Sequence, residues 1–155
     1  MITFKNTVEY ALKTVLEGLK YEDQKILDNV VVGYHEKANP DDLCHAIVDL
    51  KKPVTSVRLH NRRRVVLVDG EGEVVFVFKM AHPHGEDMND YLPSLFFQAL
   101  VDNPNLGGVI NGDCNPLSCE GGLFRLEGRE GSFYMSTVRF GLVKCVWIPP
   151  IEPEP

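Results

Sequence analysis

Behind Asn6 and Glu9, which fit a helix-capping pair, the apolar residues Val8, Leu12, Val15, Leu16 and Leu19 return at helical spacing on one face. They predict a helix over about 6–20. From Glu22 to Glu36 two periods compete: Ile26, Leu27, Val30, Val31 and Tyr34 line a helix face, whereas the triplet Val30-Val31-Val32 suits a strand. Helix is the expectation taken there, with strand left open. Asn39 as cap, Pro40 at the first helical position, and Asp41 and Asp42 in the first turn then predict a third helix. Its inward residues would be Leu43, Ile47 and Leu50, and Pro53 would end it.

The period changes at Val54, where Val54, Ser56, Arg58 and His60 alternate with Thr55, Val57 and Leu59. Two further runs, Arg64–Val68 and Glu73–Met80, flank Asp69-Gly70-Glu71-Gly72, which reads as a hairpin loop. The three runs together predict an antiparallel meander. After a polar connection from His82 to Asn89, helical patterning returns over Tyr91–Val101, with Leu95, Phe96, Ala99 and Leu100 apolar and Pro93 placed in the first turn. Residues 103–122, rich in Gly, Asn and Pro, read as a long surface loop with a short extended piece at Val109-Ile110. Strands are expected at Leu123–Glu127 and Phe133–Ile148, the latter bent near Gly141.

The resulting fold class is α+β: N-terminal helices and one central helix packed on a mainly antiparallel sheet of about five strands. With 155 residues and 44% hydrophobic content, one domain over 1–148 is expected. Residues 149–155, with four prolines and two glutamates, would form an extended tail.

A net charge of −6 opposes direct nucleic-acid binding, which depends on neutralising phosphates with Lys and Arg. The run Arg62-Arg63-Arg64 is the candidate contact surface, for an acidic partner or for nucleic acid; a charged strand start facing water is the plainer alternative. The amino terminus does not read as a signal peptide, and no apolar stretch approaches the roughly 20 residues of a membrane span. A soluble cytoplasmic protein with reduced thiols is expected.

Chemistry-bearing clusters are sparse. His82-Pro83-His84 with Glu86 and Asp87 places imidazole and carboxylate groups close together, and Cys114 and Cys119 have a four-residue gap that zinc sites allow. His82, His84, Cys114 and Cys119 would make a Cys2His2 set, but Cys44 and Cys145 stand alone, and a polar loop explains the histidines equally. No cofactor is therefore expected, with zinc the one alternative. The Gly-x-Ser-x-Gly elbow and the phosphate-loop spacings are both absent from the sequence.

One resemblance is present. Phe97-Gln98-Ala99-Leu100-Val101-Asp102, followed by Asn103-Pro104-Asn105-Leu106-Gly107-Gly108-Val109, a variable loop, and the closing strand Phe133-Tyr134-Met135-Ser136-Thr137-Val138-Arg139-Phe140, resembles the carboxy-terminal half of small tail-terminator or tail-completion proteins of long-tailed bacteriophages. The match covers about a third of the chain. Extra material between residues 22 and 50 and the Cys-bearing loop depart from the family pattern. The resemblance implies a non-enzymatic homohexameric ring that caps the tail tube, contacts other assembly proteins, and becomes part of the virion. Leu106, Gly107 and Gly108 are expected to form the turn that fixes the following loop, with Gly107 supplying a positive φ. Two alternatives come from the residues themselves: an acidic binding or inhibitory module acting on a host or bacterial partner, and a metal-dependent hydrolase using His82 and His84.

Overall fold

The computed structural model describes residues 4–33, 42–51, 54–60, 63–79, 85–108, 111–124 and 133–147. Within them the chain is α+β. Helix α1 (Phe4–Glu17) is followed by strands β1 (Lys20–Tyr21), β2 (Gln24–Lys25), β3 (Asn29–Val32), β4 (Cys44–Leu50), β5 (Val54–His60) and β6 (Arg63–Lys79). Helix α2 (Gly85–Asp102) and strands β7 (Asn111–Phe124) and β8 (Phe133–Trp147) complete it. β1 and β2 form a small antiparallel sheet, and the other six strands form a mixed sheet ordered β3-β4-β6-β8-β7, with β5 also paired to β6. The pairing of β3 with β4 is parallel and the rest are antiparallel.

Strand β6 is the axis of the sheet. β8 pairs along most of its length on one side, while β4 and then β5 pair with successive halves on the other, from Cys44↔Phe78 to Leu50↔Gly72 and from Val54↔Asp69 to His60↔Arg63. Size matching across the strands explains why this register holds. Phe76 lies between Ala46 and Ser136, and Gly72 lies between Leu50 and Phe140, so each bulky ring meets small neighbours. A Cβ at Gly72 would sit 2.4 Å from Phe140 Cζ and 2.9 Å from the Asp49 carbonyl oxygen. Gly72 is required by close packing inside a strand, and the hairpin expected at residues 69–72 is replaced by continuous strand, with a register irregularity between Val68 and Gly70.

Both helices contribute to one core. α1 buries Val8, Leu12 and Leu16, and α2 buries Met88, Leu92, Phe96 and Leu100, each row at four-residue spacing. α1 packs on β3 and β4, whereas α2 packs on β6, β7 and β8, with the Phe96 ring edge-on to Phe76 at 5.9 Å between centroids. Buried Cys44, Ala46, Val48 and Leu50 alternate along β4, and Val30, Val74, Phe76, Phe78, Cys114, Val138, Phe140 and Leu142 complete the sheet's share of the core.

Several expectations are corrected. The helix taken for residues 22–36 is replaced by β2 and β3, where Val30-Val31-Val32 forms the strand that the triplet allowed. The helix expected to follow Asn39 gives way to β4: Leu43 is exposed, and residues 44, 46, 48 and 50 turn inward with period two. The cap at Asn39-Pro40 lies outside the described residues. Strand Val54–His60 is observed, but its partner is the front half of a single long β6. α2 starts at Gly85, ahead of the expected Tyr91, so Pro93 lies inside the helix and not in its first turn. Its missing N–H leaves the Asn89 carbonyl without its usual helical donor. The surface loop expected over 103–122 is shortened to a turn over 104–108, because Asn111 to Phe124 pair with β8. Gly141, where β8 was expected to bend, lies beside an irregularity in the β7 pairing and directly under Leu117. The tail 149–155 lies outside the described residues. Among the described residues no helix is long and apolar enough to cross a membrane.

Candidate functional site

The turn after α2 is held locally. Leu106, Gly107 and Gly108 have φ of 53°, 72° and 83°, three successive left-handed residues. Asn103 supports them: its carbonyl accepts the Leu106 N–H at 3.1 Å and its Oδ1 accepts the Gly107 N–H at 3.0 Å. Asn105 Oδ1 accepts from Gly108 at 3.3 Å. Leu106 tolerates the left-handed conformation because its side chain is buried in the core, and the Cys114 N–H donates to the Pro104 carbonyl at 2.7 Å, tying the turn to β7. This turn therefore determines where β7 enters the sheet.

The metal-ligand candidates do not form a described cluster. His82 and His84 lie outside the described residues, as does Arg62. Cys114 is buried in the core opposite Leu142, and Cys119 is opposite Val138 further along β7. Among the described residues no group of three His, Cys, Asp or Glu side chains is placed to hold a metal ion. Cys44, also a buried thiol, donates through Sγ to the Ile26 carbonyl at 2.9 Å. Burial pushes this thiol up to about 11 from the usual 9.0, and the nearby carboxylates of Asp28 and Asp42 push in the same direction. Such a thiol is a packing group and a poor nucleophile. Asp28 also fixes the start of β4, where its Oδ2 accepts from the Leu43 N–H at 2.9 Å and the Cys44 N–H at 3.4 Å.

A groove that the sequence reading missed lies between the β1–β2 hairpin and the first turns of α2. It has a volume of about 450 Å³ and is lined by Tyr21, Asp87, Met88, Asp90, Tyr91 and Ser94. Glu22 and Asp23 both take positive φ, 51° and 63°, the geometry of a two-residue type I′ hairpin turn. That turn carries Tyr21 onto Tyr91, whose rings meet nearly edge-on at 5.2 Å and 71°. Asp87, Asp90, Tyr91 and Ser94 lie on the exposed side of α2, and Met88 closes the floor. The walls thus offer two carboxylates and two tyrosine faces, a set that suits a cationic, planar group. Lys20 and Lys25 face each other across the base of the hairpin, outside the lining.

The Arg-bearing segment occupies a different place. Arg63 starts β6 opposite His60, and Arg64 pairs with Leu59, so these residues form the tip of the β5–β6 hairpin. Among the described residues β5 pairs with β6 alone. β5, the front of β6, the end of β8 and the start of β7 are thus paired at one end of the sheet, its arm. No protein-family model matches the chain, and no curated protein matches it.

Proposed function

We propose that this chain is a non-enzymatic assembly subunit of the tail-terminator type that its carboxy-terminal half resembles, closing into a homo-oligomeric ring at a tail-head junction. The observation that supports this reading is the arm. Among the described residues β5 is paired on one side only, and such an edge is one that another chain completes by strand pairing. The open edge and the helix-covered body are different surfaces, so a contact between them is heterologous, and it closes a ring when its repeated rotation returns to the first subunit. The 104–108 turn has a supporting part: it sets the position of β7, which borders the same end of the sheet through Asn111↔Val146.

Negative-stain electron microscopy of the purified protein tests this reading. Closed rings of uniform subunit number are the expected images. A field of single small particles at micromolar concentration would reject the assembly role and leave the acidic binding module as the better account.

A further inference from the structure

We infer that the acidic groove at the start of α2 is the receptor for the arginine-bearing β5–β6 tip of a neighbouring copy of this chain. The inference rests on the assembly reading and names the contact through which assembly proceeds. Its first support is charge. α2 contains Glu86, Asp87, Asp90 and Asp102 with no Lys or Arg, a formal charge of −4. Residues 54–68 contain Arg58, Arg62, Arg63 and Arg64 with no Asp or Glu, a formal charge of +4. In a chain with a net charge of −6, this is a marked segregation of sign.

The second support is placement. Phe96 packs on Phe76, and α2 runs back from Phe96 to the groove residues Tyr91, Asp90 and Asp87. Tyr21 precedes β3, whose first residue Asn29 pairs with His45, itself opposite Val77. Both routes put the groove towards the Lys79 end of β6, whereas Arg63 and Arg64 stand at the opposite end. From Arg63 to Val77, at about 3.3 Å per residue, the strand is roughly 45 Å long. One chain cannot fold its own tip into its own groove across that distance, so the complementary charges meet between copies. The groove's chemistry fits the tip: a guanidinium can bond to Asp87 or Asp90 while stacking on Tyr21 or Tyr91. A contact joining one end of a subunit to the opposite end of the next is head-to-tail, as ring closure requires.

Charge reversal tests the inference. The groove variant Asp87→Lys/Asp90→Lys and the tip variant Arg63→Glu/Arg64→Glu are prepared separately, together with the milder Asp87→Asn/Asp90→Asn, and circular dichroism melting confirms that each is folded. Native mass is then measured for each protein and for an equimolar mixture of the two reversed variants. Each reversed variant alone should remain monomeric at concentrations about tenfold above those at which the unaltered chain assembles. The asparagine variant should require an intermediate concentration. The mixture should recover the oligomer, because an alternating ring pairs a lysine groove with a glutamate tip and an aspartate groove with an arginine tip. An unaltered chain that assembles while the reversed variants assemble equally well overturns the groove–tip contact and leaves the assembly reading standing. Loss of assembly without recovery in the mixture also overturns it. A monomeric unaltered chain overturns the assembly reading itself.

Discussion

Replacing Gly72 by Ala tests the course of β6 against the hairpin suggested by Asp69-Gly70-Glu71-Gly72. The added Cβ would lie 2.4 Å and 2.8 Å from Phe140 Cζ and Cε2, and 2.9 Å from the Asp49 carbonyl oxygen. The ring is fully buried and has little space to retreat into, and the carbonyl belongs to a ladder fixed by Leu50↔Gly72 and by the Lys51 N–H donating to the Glu71 carbonyl at 3.1 Å. Overpacking of this kind costs about 1–3 kcal/mol. The lower chain entropy of alanine in the unfolded state offsets roughly 0.5–1 kcal/mol of it. A net loss of about 1–2 kcal/mol follows, or roughly 2–8 °C in Tm for a domain of this size. Gly18→Ala is the matched control, because its Cβ would meet only the Val15 and Thr14 carbonyl oxygens at 3.5 Å and 3.6 Å. That variant should equal or slightly exceed the unaltered chain. Urea unfolding followed by far-ultraviolet circular dichroism measures all three, and Gly72→Ala/Phe140→Leu should lose less than the sum of its single changes. If Gly72→Ala unfolds with the same midpoint as the unaltered protein, Gly72 does not face Phe140 within a continuous strand, and the packing argument for β6 fails.

Three further outcomes are expected. Gly107→Val should lower stability by about 1–3 kcal/mol, because a β-branched residue is forced to a φ of 72°, while Gly107→Asn loses less; equal melting temperatures for the two would remove the strain argument. Of Thr55→Pro and Ser56→Pro, one removes an amide that points into β6 and the other an amide on the open edge of β5, so one variant should melt lower and the other melt normally. If both melt equally low, the outer edge of β5 is occupied within the monomer. The Cys44 thiol is raised in the folded state, so its contribution to stability is complete below pH 9 and is lost as pH rises towards about 11. Relative to Cys44→Ala, the protein should therefore lose up to about 3 kcal/mol over that interval, and mass spectrometry should find Cys44 unalkylated by iodoacetamide at neutral pH. A constant difference between the two proteins across the interval would show that the thiol titrates normally.

What the sequence disclosed depended on how local each signal was. α1 is legible because Val8, Leu12 and Leu16 contact the core from a single continuous helix. β4 was misread because Leu43, Ile47 and Leu50 satisfy helical spacing as well as Cys44, Ala46, Val48 and Leu50 satisfy strand alternation. The choice between them is made by β3 and β6, partners distant in sequence. Gly70 and Gly72 carry an ordinary turn signature, yet Gly72 is small because Phe140 needs the space. β7 reads as a loop because Pro116, Gly121 and Gly122 are poor strand formers, and such residues are tolerated in a strand that, among the described residues, is paired on only one side. The positions of Leu106, Gly107 and Gly108 could be singled out from composition because left-handed turns favour glycine. The groove could not be read in advance: Tyr21 and Tyr91 meet only after the Glu22-Asp23 turn folds, and that turn lacks the Asn-Gly signature that usually announces it. The arginine run was visible, but its separation from the acidic helix along β6 was not.

The central claim is self-assembly through opposite ends of the subunit, and the mass of the untagged protein in solution tests it most directly. Multi-angle light scattering across a broad concentration range at low ionic strength should give a mass that rises to a fixed multiple of 17.4 kDa and stays there, with six the multiple implied by the tail-terminator resemblance. A mass of one subunit at every concentration would contradict the account.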